Sequence, residues 1–324
     1  MLARMPPHRF CTRPRTRRLP LLGLALAWLP LLAHADVTLK VDGVNETLKA
    51  AIVSRVQLSQ YKDHEATAAQ VRRLYEQAPE QVQAALRPYG YFDAHVGGRI
   101  EQTDGNWVVT LHVDTGAPVT VTQVNIDIPD KVAKLPAVHK AIAAFRPNAG
   151  QVLDQGVYTA SRDAIDSTLV AVGFLDADMV THRVAVTRAN HSAVIDLAWH
   201  TGPRYRFGEV HFEGSQFYPG FLQRYVPWKP GDYFSQRDLL ALQQRLNGAD
   251  YFSVVSVQPD LKHKHEDTVD VDVDVEPAKR SIYTGGPFVG TDTGVGIQLG
   301  LERRWVNDRG HKWRNKLVLA QRLK

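Results

Sequence analysis

Cysteine is almost absent from this 324-residue chain. The single one, Cys11, lies in an N-terminal stretch that looks like an export signal, so a chain that loses that stretch keeps none. Disulfide staples, thiolate metal sites and a cysteine-linked lipid anchor are then excluded from the mature protein. Long hydrophobic runs are also lacking. The most apolar stretch, 19–32, is interrupted by Pro20 and Pro30 and is shorter than the ~20 residues a membrane helix needs. Arg4, Arg9, Arg13, Arg15, Arg17 and Arg18 stand in front of it and Ala33-His34-Ala35 follows, the order a signal peptidase reads. Residues 1–35 are therefore expected to be a signal peptide, cleaved between Ala35 and Asp36.

Net charge is scarce once that leader goes. Six of the 39 Lys and Arg leave with it, and the 33 that stay face 34 Asp and Glu. Such a balance offers no electrostatic footprint for nucleic acid. Catalytic signatures are missing too: there is no G-x-S-x-G elbow, Walker loop or H-E-x-x-H. Gly294-x-Gly296 opens no helix, and strand alternation accounts for both glycines. His263 and His265 share the run Lys262-His263-Lys264-His265-Glu266 with two lysines whose charge opposes a cation. No catalytic residue, cofactor or metal is assigned, and an enzyme is not expected.

What the chain does contain is repetition. Gly90-Tyr91-Phe92-Asp93-Ala94, Gly173-Phe174-Leu175-Asp176-Ala177 and Asp250-Tyr251-Phe252-Ser253-Val254 are copies of one phrase, spaced 83 and 77 residues apart. A period that long means small domains in tandem. Each copy follows a helical pattern: Val82, Ala85 and Leu86; then Ile165, Leu169 and Val172; then Leu239, Leu242 and Leu246. Ser235-x-x-Asp238 reads as a capping box for the third helix. Gly90 and Gly173 read as helix stops, while the third copy has Asp250 in that place. The aromatics Tyr91, Phe174, Tyr251 and Phe252 read as core residues between helix end and sheet.

Strand patterns surround these helices. Val37, Leu39 and Val41 alternate ahead of Asp42-Gly43. Val119, Val121, Val124 and Ile126 share a mid-strand slip with Tyr205, Phe207, Val210 and Phe212, which predicts a bulge. Each module closes on an alternating strand, plainest in Val269, Val271, Val273 and Val275. Asp270, Asp272, Asp274 and Glu276 oppose them and read as a solvated face, since alternate strand residues lie ~7 Å apart, too far to share an ion.

Strand-helix-helix-strand-strand units of this size are α+β, a three-stranded sheet with helices on one face. They resemble polypeptide-transport-associated (POTRA) domains over 36–276, through the glycine–aromatic signature and the strand order. The expected boundaries are 36–117, 118–202 and 203–279. The resemblance implies that the second strand of each unit, 94–101, 177–186 and 253–258, lies at a sheet edge.

From Ser281 the texture changes. Ile282, Tyr283, Thr284, Gly285, Gly286 and Pro287 begin a glycine-punctuated strand. Val295, Ile297, Leu299 and Leu301 then alternate with Gly296, Gln298, Gly300 and Glu302 on a strand expected to end near Trp305. After the turn Asn307-Asp308-Arg309-Gly310, Trp313, Leu317, Leu319 and Leu323 mark a third. Strands of ~9–11 residues with one apolar face are the outer-membrane barrel pattern, and Trp305 and Trp313 are expected to form an interface girdle. Residues 280–324 are thus expected to begin a transmembrane antiparallel β-barrel that the sequence does not complete.

Leader, three POTRA units and barrel strands in that order resemble the BamA/TamA family of POTRA-barrel outer-membrane assembly proteins. Three units, rather than five, match its translocation-and-assembly-module branch. The segment from Val289-Gly290-Thr291-Asp292-Thr293-Gly294 through Trp305-Val306-Asn307 to Gly310-His311 is similar to that branch's first hairpin. The resemblance implies an outer-membrane location with the POTRA domains in the periplasm. It implies unfolded outer-membrane protein clients, autotransporters among them, that are inserted into outer-membrane lipid by strand pairing. It also implies a TamB-like inner-membrane partner contacted near 37–113. Residues 282–287 are the expected gate strand, weakened by two glycines and a proline.

Overall fold

The computed structural model describes residues 36–321 except 63, 65, 104 and 293. The expected leader with Ala35 lies outside the described residues, as does Leu323.

One sheet plan recurs three times. The first unit holds β1 (Val37–Asp42), α1 (Glu46–Arg55), α2 (Ala68–Leu86), β2 (His95–Thr103) and β3 (Asn106–Asp114). The second holds β4 (Thr120–Asp127), α3 (Asp130–Ala133), α4 (Pro136–Ala143), α5 (Gln155–Ala171), β5 (Asp178–Thr187) and β6 (Ser192–His200). The third holds β7 (Arg206–Glu213), α6 (Gln236–Gly248), β8 (Phe252–Pro259) and β9 (Thr268–Pro277). Their strand orders are β1-β3-β2, β4-β6-β5 and β7-β9-β8. In each, the first and last strands pair in parallel and the last two as an antiparallel hairpin.

The last strand is central because its alternation is cleanest. Val269, Val271, Val273 and Val275 are all buried, as are Ala193, Ile195, Leu197 and Trp199 in the second unit. Each such large side chain contributes about 1.5–3 kcal/mol when withdrawn from water. The helices supply the facing stripe, with Val71, Leu74, Ala78, Val82 and Leu86 buried along α2.

The expected slips are real. Register shifts fall between Val121 and Gln123 and between Phe207 and Val210. Asp270 is a correction to the solvated-face expectation: its Oδ1 accepts the Glu209 amide at 2.7 Å, satisfying a donor freed by the bulge.

Helix starts bring a second correction. Ser235 makes no side-chain capping bond, because the Asp238 amide donates to the Ser235 carbonyl instead, at 3.0 Å. A reciprocal capping box stands on α2, where the Gln70 amide donates to Thr67 Oγ1 and the Thr67 amide to Gln70 Oε1. The third unit also lacks a first α-helix; a 3-10 turn over Leu222–Tyr225 and an aromatic cluster occupy its place.

A fourth sheet, β10 (Ser281–Gly290), β11 (Gly294–Arg303) and β12 (Trp313–Ala320), is a plain antiparallel meander. β11 stops at Arg303 rather than near Trp305. Trp305 does not join Trp313 in a girdle: it packs edge-on against Phe217 of the third unit, ring centroids 6.4 Å apart. The apolar face keeps no cover among the described residues. Tyr283, Val289, Ile297, Leu299, Leu317 and Leu319 are each at least half exposed.

Candidate functional site

Two kinds of feature recur along the chain: free strand edges and joints between units. The sheet orders leave β2, β5 and β8 each with one unpaired flank. Edge strands offer a row of unmatched amides and carbonyls that another chain can complete. Val180 on β5 and Val254 on β8 are among the exposed hydrophobics of the molecule.

β10 is likewise an edge strand, and its glycine–proline run behaves differently from expectation. Its register with β11 is unbroken from Ser281–Arg303 to Gly290–Gly294. The Gln321 amide donates to the Val295 carbonyl at 3.0 Å, which sets the parity: Val295 and Ile297 turn their backbone groups to β12. Pro287 sits opposite Ile297, so its backbone faces away from β11. The missing donor therefore costs the hairpin nothing and interrupts only the free flank. Phe288 lies over Gly296 and Thr284 over Gly300, filling the gaps left by those glycines.

The joints are built from the repeated phrase. Gly90 and Gly173 have φ of +86° and +104°. The Gly90 carbonyl accepts from Val119 N and the Gly173 carbonyl from Tyr205 N, both at 2.8 Å, so each helix stop is bonded to the residue that leads into the first strand of the next unit. Leu153 N then bonds the Val119 carbonyl at 2.8 Å, and Phe234 N bonds the Tyr205 carbonyl at 2.9 Å. A Cβ on Gly90 would stand 2.6 Å from the Leu153 carbonyl oxygen. Glycine is required here both for its φ and for closeness. In the third copy Asp250 adopts φ +61°, a conformation that aspartate tolerates better than most residues.

The residues after the glycine divide between neighbours. Tyr91 packs on the first core and Phe92 on the second; Phe174 packs on the second and Leu175 on the third. Asp93 and Asp176 then meet a basic residue from the hairpin tip of the following unit. His191 Nε2 lies 3.2 Å from Asp93, and the Lys264 ammonium is ion-paired with Asp176. Tyr205 Oη also donates to Asp176, at 2.6 Å. Lys264 first and the Tyr205 hydroxyl second hold the Asp176 carboxyl below the usual carboxylate range, and the same carboxylate holds Lys264 above the usual lysine value.

A family model described as POTRA domain TamA domain 1 matches residues 38–115, and one described as surface antigen variable number repeat, a POTRA model, matches 205–278. Two of the three units, the first and the third, therefore match POTRA models. Among curated proteins it is 29% identical over 118 residues to the outer membrane protein assembly factor BamA of Neisseria meningitidis. That match covers 34% of this chain and 15% of BamA, so the chain spans a small part of that relative's length. The structure of BamA from Haemophilus ducreyi lacking POTRA domains 1–3 is similar in fold, with TM-score 0.52 and 16% identity over 62% of this chain and 37% of that one. BamA POTRA3-5 from Haemophilus influenzae aligns over 75% of this chain and 96% of its own, with TM-score 0.42 and 17% identity.

The third POTRA unit carries a joint of its own, to the β11–β12 loop. Tyr251 Oη donates to the Gly310 carbonyl at 2.6 Å, and Lys312 Nζ to the Ala249 carbonyl at 2.7 Å. Arg304 approaches Asp250 at 3.2 Å, an ion pair by distance rather than an aligned hydrogen bond. A Cβ on Gly310 would run into the Phe221 ring. Gly90, Tyr91, Gly173, Phe174 and Tyr251 thus fall at joints, Phe252 lies in the third unit's own core, and the expected gate residues 282–287 lie within β10. The sequence reading named Asp176, Lys264 and Trp305 without their partners and did not single out His191; those partners lie too far along the chain for any local spacing to signal. Among the described residues no His, Cys, Asp and Glu cluster has the form of a metal site.

Proposed function

We propose that this chain is the POTRA-bearing part of a TamA-like outer-membrane assembly factor. Its periplasmic POTRA edges receive unfolded β-barrel clients, autotransporters among them, and its β10–β12 sheet belongs to the barrel at which those clients enter the membrane. The observation that carries this is the uncovered apolar face of β10–β12, joined through the Gly310 loop to a run of edge-bearing POTRA units. The match of the first unit to the TamA domain 1 model supports that branch and a TamB-like inner-membrane partner at the far end of the run.

The mechanism needs no chemistry. A client strand carries unmatched backbone groups, and each pairing with an edge replaces bonds to water by bonds to protein, for a net gain of about 1 kcal/mol apiece. Weak, repeated pairing holds the client without trapping it. The β10 flank, interrupted at Pro287, is held less firmly to any neighbour than a full ladder, and we assign it the role of gate. The test uses the complete protein with its whole barrel in liposomes. Client barrels should insert faster with it than with an unrelated barrel of similar size. A disulfide joining 282–287 to the last barrel strand should stop insertion. Equal rates in both liposome preparations would sink the assembly role; full activity of the locked form would sink the gate.

A further inference from the structure

A recess of about 230 Å³ opens between the first and second units, beside the free flank of β5. Phe92 from the first unit and Leu153, Tyr158, Val184 and Val186 from the second make its apolar wall, with Arg87 at the mouth. Val184 and Val186 lie on one face of β5 and pack toward the second core. A strand laid along that flank would direct its alternate side chains to the same face, toward the recess.

The second unit is also the one whose edge is left untied. Counting back eight residues from Tyr91 and Tyr251 reaches Gln83 and Gln243. Gln83 Nε2 donates to the Ala94 carbonyl and Gln243 Nε2 to the Val255 carbonyl, both at 3.1 Å, strapping the long helix to the edge strand or its lead-in. Eight residues before Phe174 stands Asp166, whose carboxylate has no donor to offer and accepts from Trp199 Nε1 instead. The groove between α5 and β5 therefore lacks the strap that closes its counterparts.

Charge indicates what would fill it. The Arg188 guanidinium lies over the Phe92 ring at 5.9 Å, and Arg87 is exposed at the mouth. Among the described residues neither is ion-paired with a carboxylate, whereas nearby Arg162 and Arg183 are paired with Asp163 and Asp196.

We propose that β5 and this recess form the capture point for an extended client segment with acidic flanks, which adds as a fourth strand and seats one large apolar side chain against Phe92, Tyr158 and Val184. The proposal rests on the edge-pairing function above and names the unit and the side-chain class that it uses.

The test is fluorescence anisotropy with the full chain and a labelled synthetic peptide of alternating Val and Thr bearing a central Phe between two Asp. Reversing the exposed pair with Arg87→Glu and Arg188→Glu should weaken binding at least about tenfold. Val184→Trp should fill the recess and abolish binding, as should replacing the peptide's Phe by Ala. A tryptophan on the core-facing side of the third unit's edge strand, Val257→Trp, should leave the affinity unaltered. Should Val184→Trp fail to fold, the arginine pair, which lies at the surface, still decides the matter. Binding that ignores the β5 variants, or that follows Val257→Trp, overturns the proposal. Liposome insertion is run in parallel with the complete protein: insertion that proceeds while peptide binding ignores β5 overturns this inference alone. Failure of the unmodified complete protein to insert clients overturns the function beneath it.

Discussion

Replacing Gly90 by alanine tests whether the repeated phrase is a joint or only a helix stop. At φ +86° a Cβ costs about 1–2 kcal/mol through its own backbone alone. The added atom would also stand 2.6 Å from the Leu153 carbonyl, a backbone group that cannot swing aside. Relief requires the two units to part, weakening the 2.8 Å bond from Val119 N to Gly90 O, worth about 1 kcal/mol net. The expected loss is about 2–3 kcal/mol. Gly150 is the control: its φ is +85° but nothing lies within 4 Å of its Cβ position, so Gly150→Ala should cost only the conformational part, about 1–2 kcal/mol. Gly173→Ala should fall between them, its nearest contacts being 3.1 and 3.2 Å. Urea unfolding of the three variants would give the ranking, and amide exchange at Val119 and Leu153 would show where the loss falls. If Gly90→Ala and Gly150→Ala agree within about 0.5 kcal/mol, the close approach carries no energy and the joint argument fails.

Thr67→Ala should destabilise the first unit by about 1 kcal/mol, while Ser235→Ala should cost far less because Ser235 makes no side-chain cap; denaturation midpoints compare them. The Asp176 tie titrates with a defined sign. Its carboxyl is held below the ordinary range in the folded chain, so the tie should persist at neutral pH and be lost as pH falls through that lowered value. Asp176→Asn should remove this acid dependence, read as the distance between spin labels on the second and third units. Gly310→Val should expel the β11–β12 loop from the Phe221 ring, seen as faster amide exchange at Val306 and Gly310.

Much of the fold is legible because its determinants are local. Strand alternation in 269–275, the helical stripe of 239–246 and the mid-strand slips at Val121 and Phe207 are patterns of period 2 and 3.6, and the structure follows each of them. Local spacing misled where two acceptors competed for one donor. The Ser235-x-x-Asp238 pattern matches a capping box, yet the backbone carbonyl of Ser235 takes the amide first. It misled again at Trp305, which a barrel girdle and the neighbouring aromatic cluster could both accommodate; burial against Phe217 decided for the cluster.

From its residues alone, the chain determined a tandem of α+β units, the ends of their helices and a change of character near Ser281, because backbone conformation and amphipathic period are set by near neighbours. Tertiary structure alone decided that the signature glycine is where one unit grips the next, that Asp93 and Asp176 reach basic hairpin tips, and that the second unit lacks the glutamine strap of the other two. Those contacts join residues up to 98 positions apart, as with Asp93 and His191, and a pairing at that range leaves no trace in local spacing.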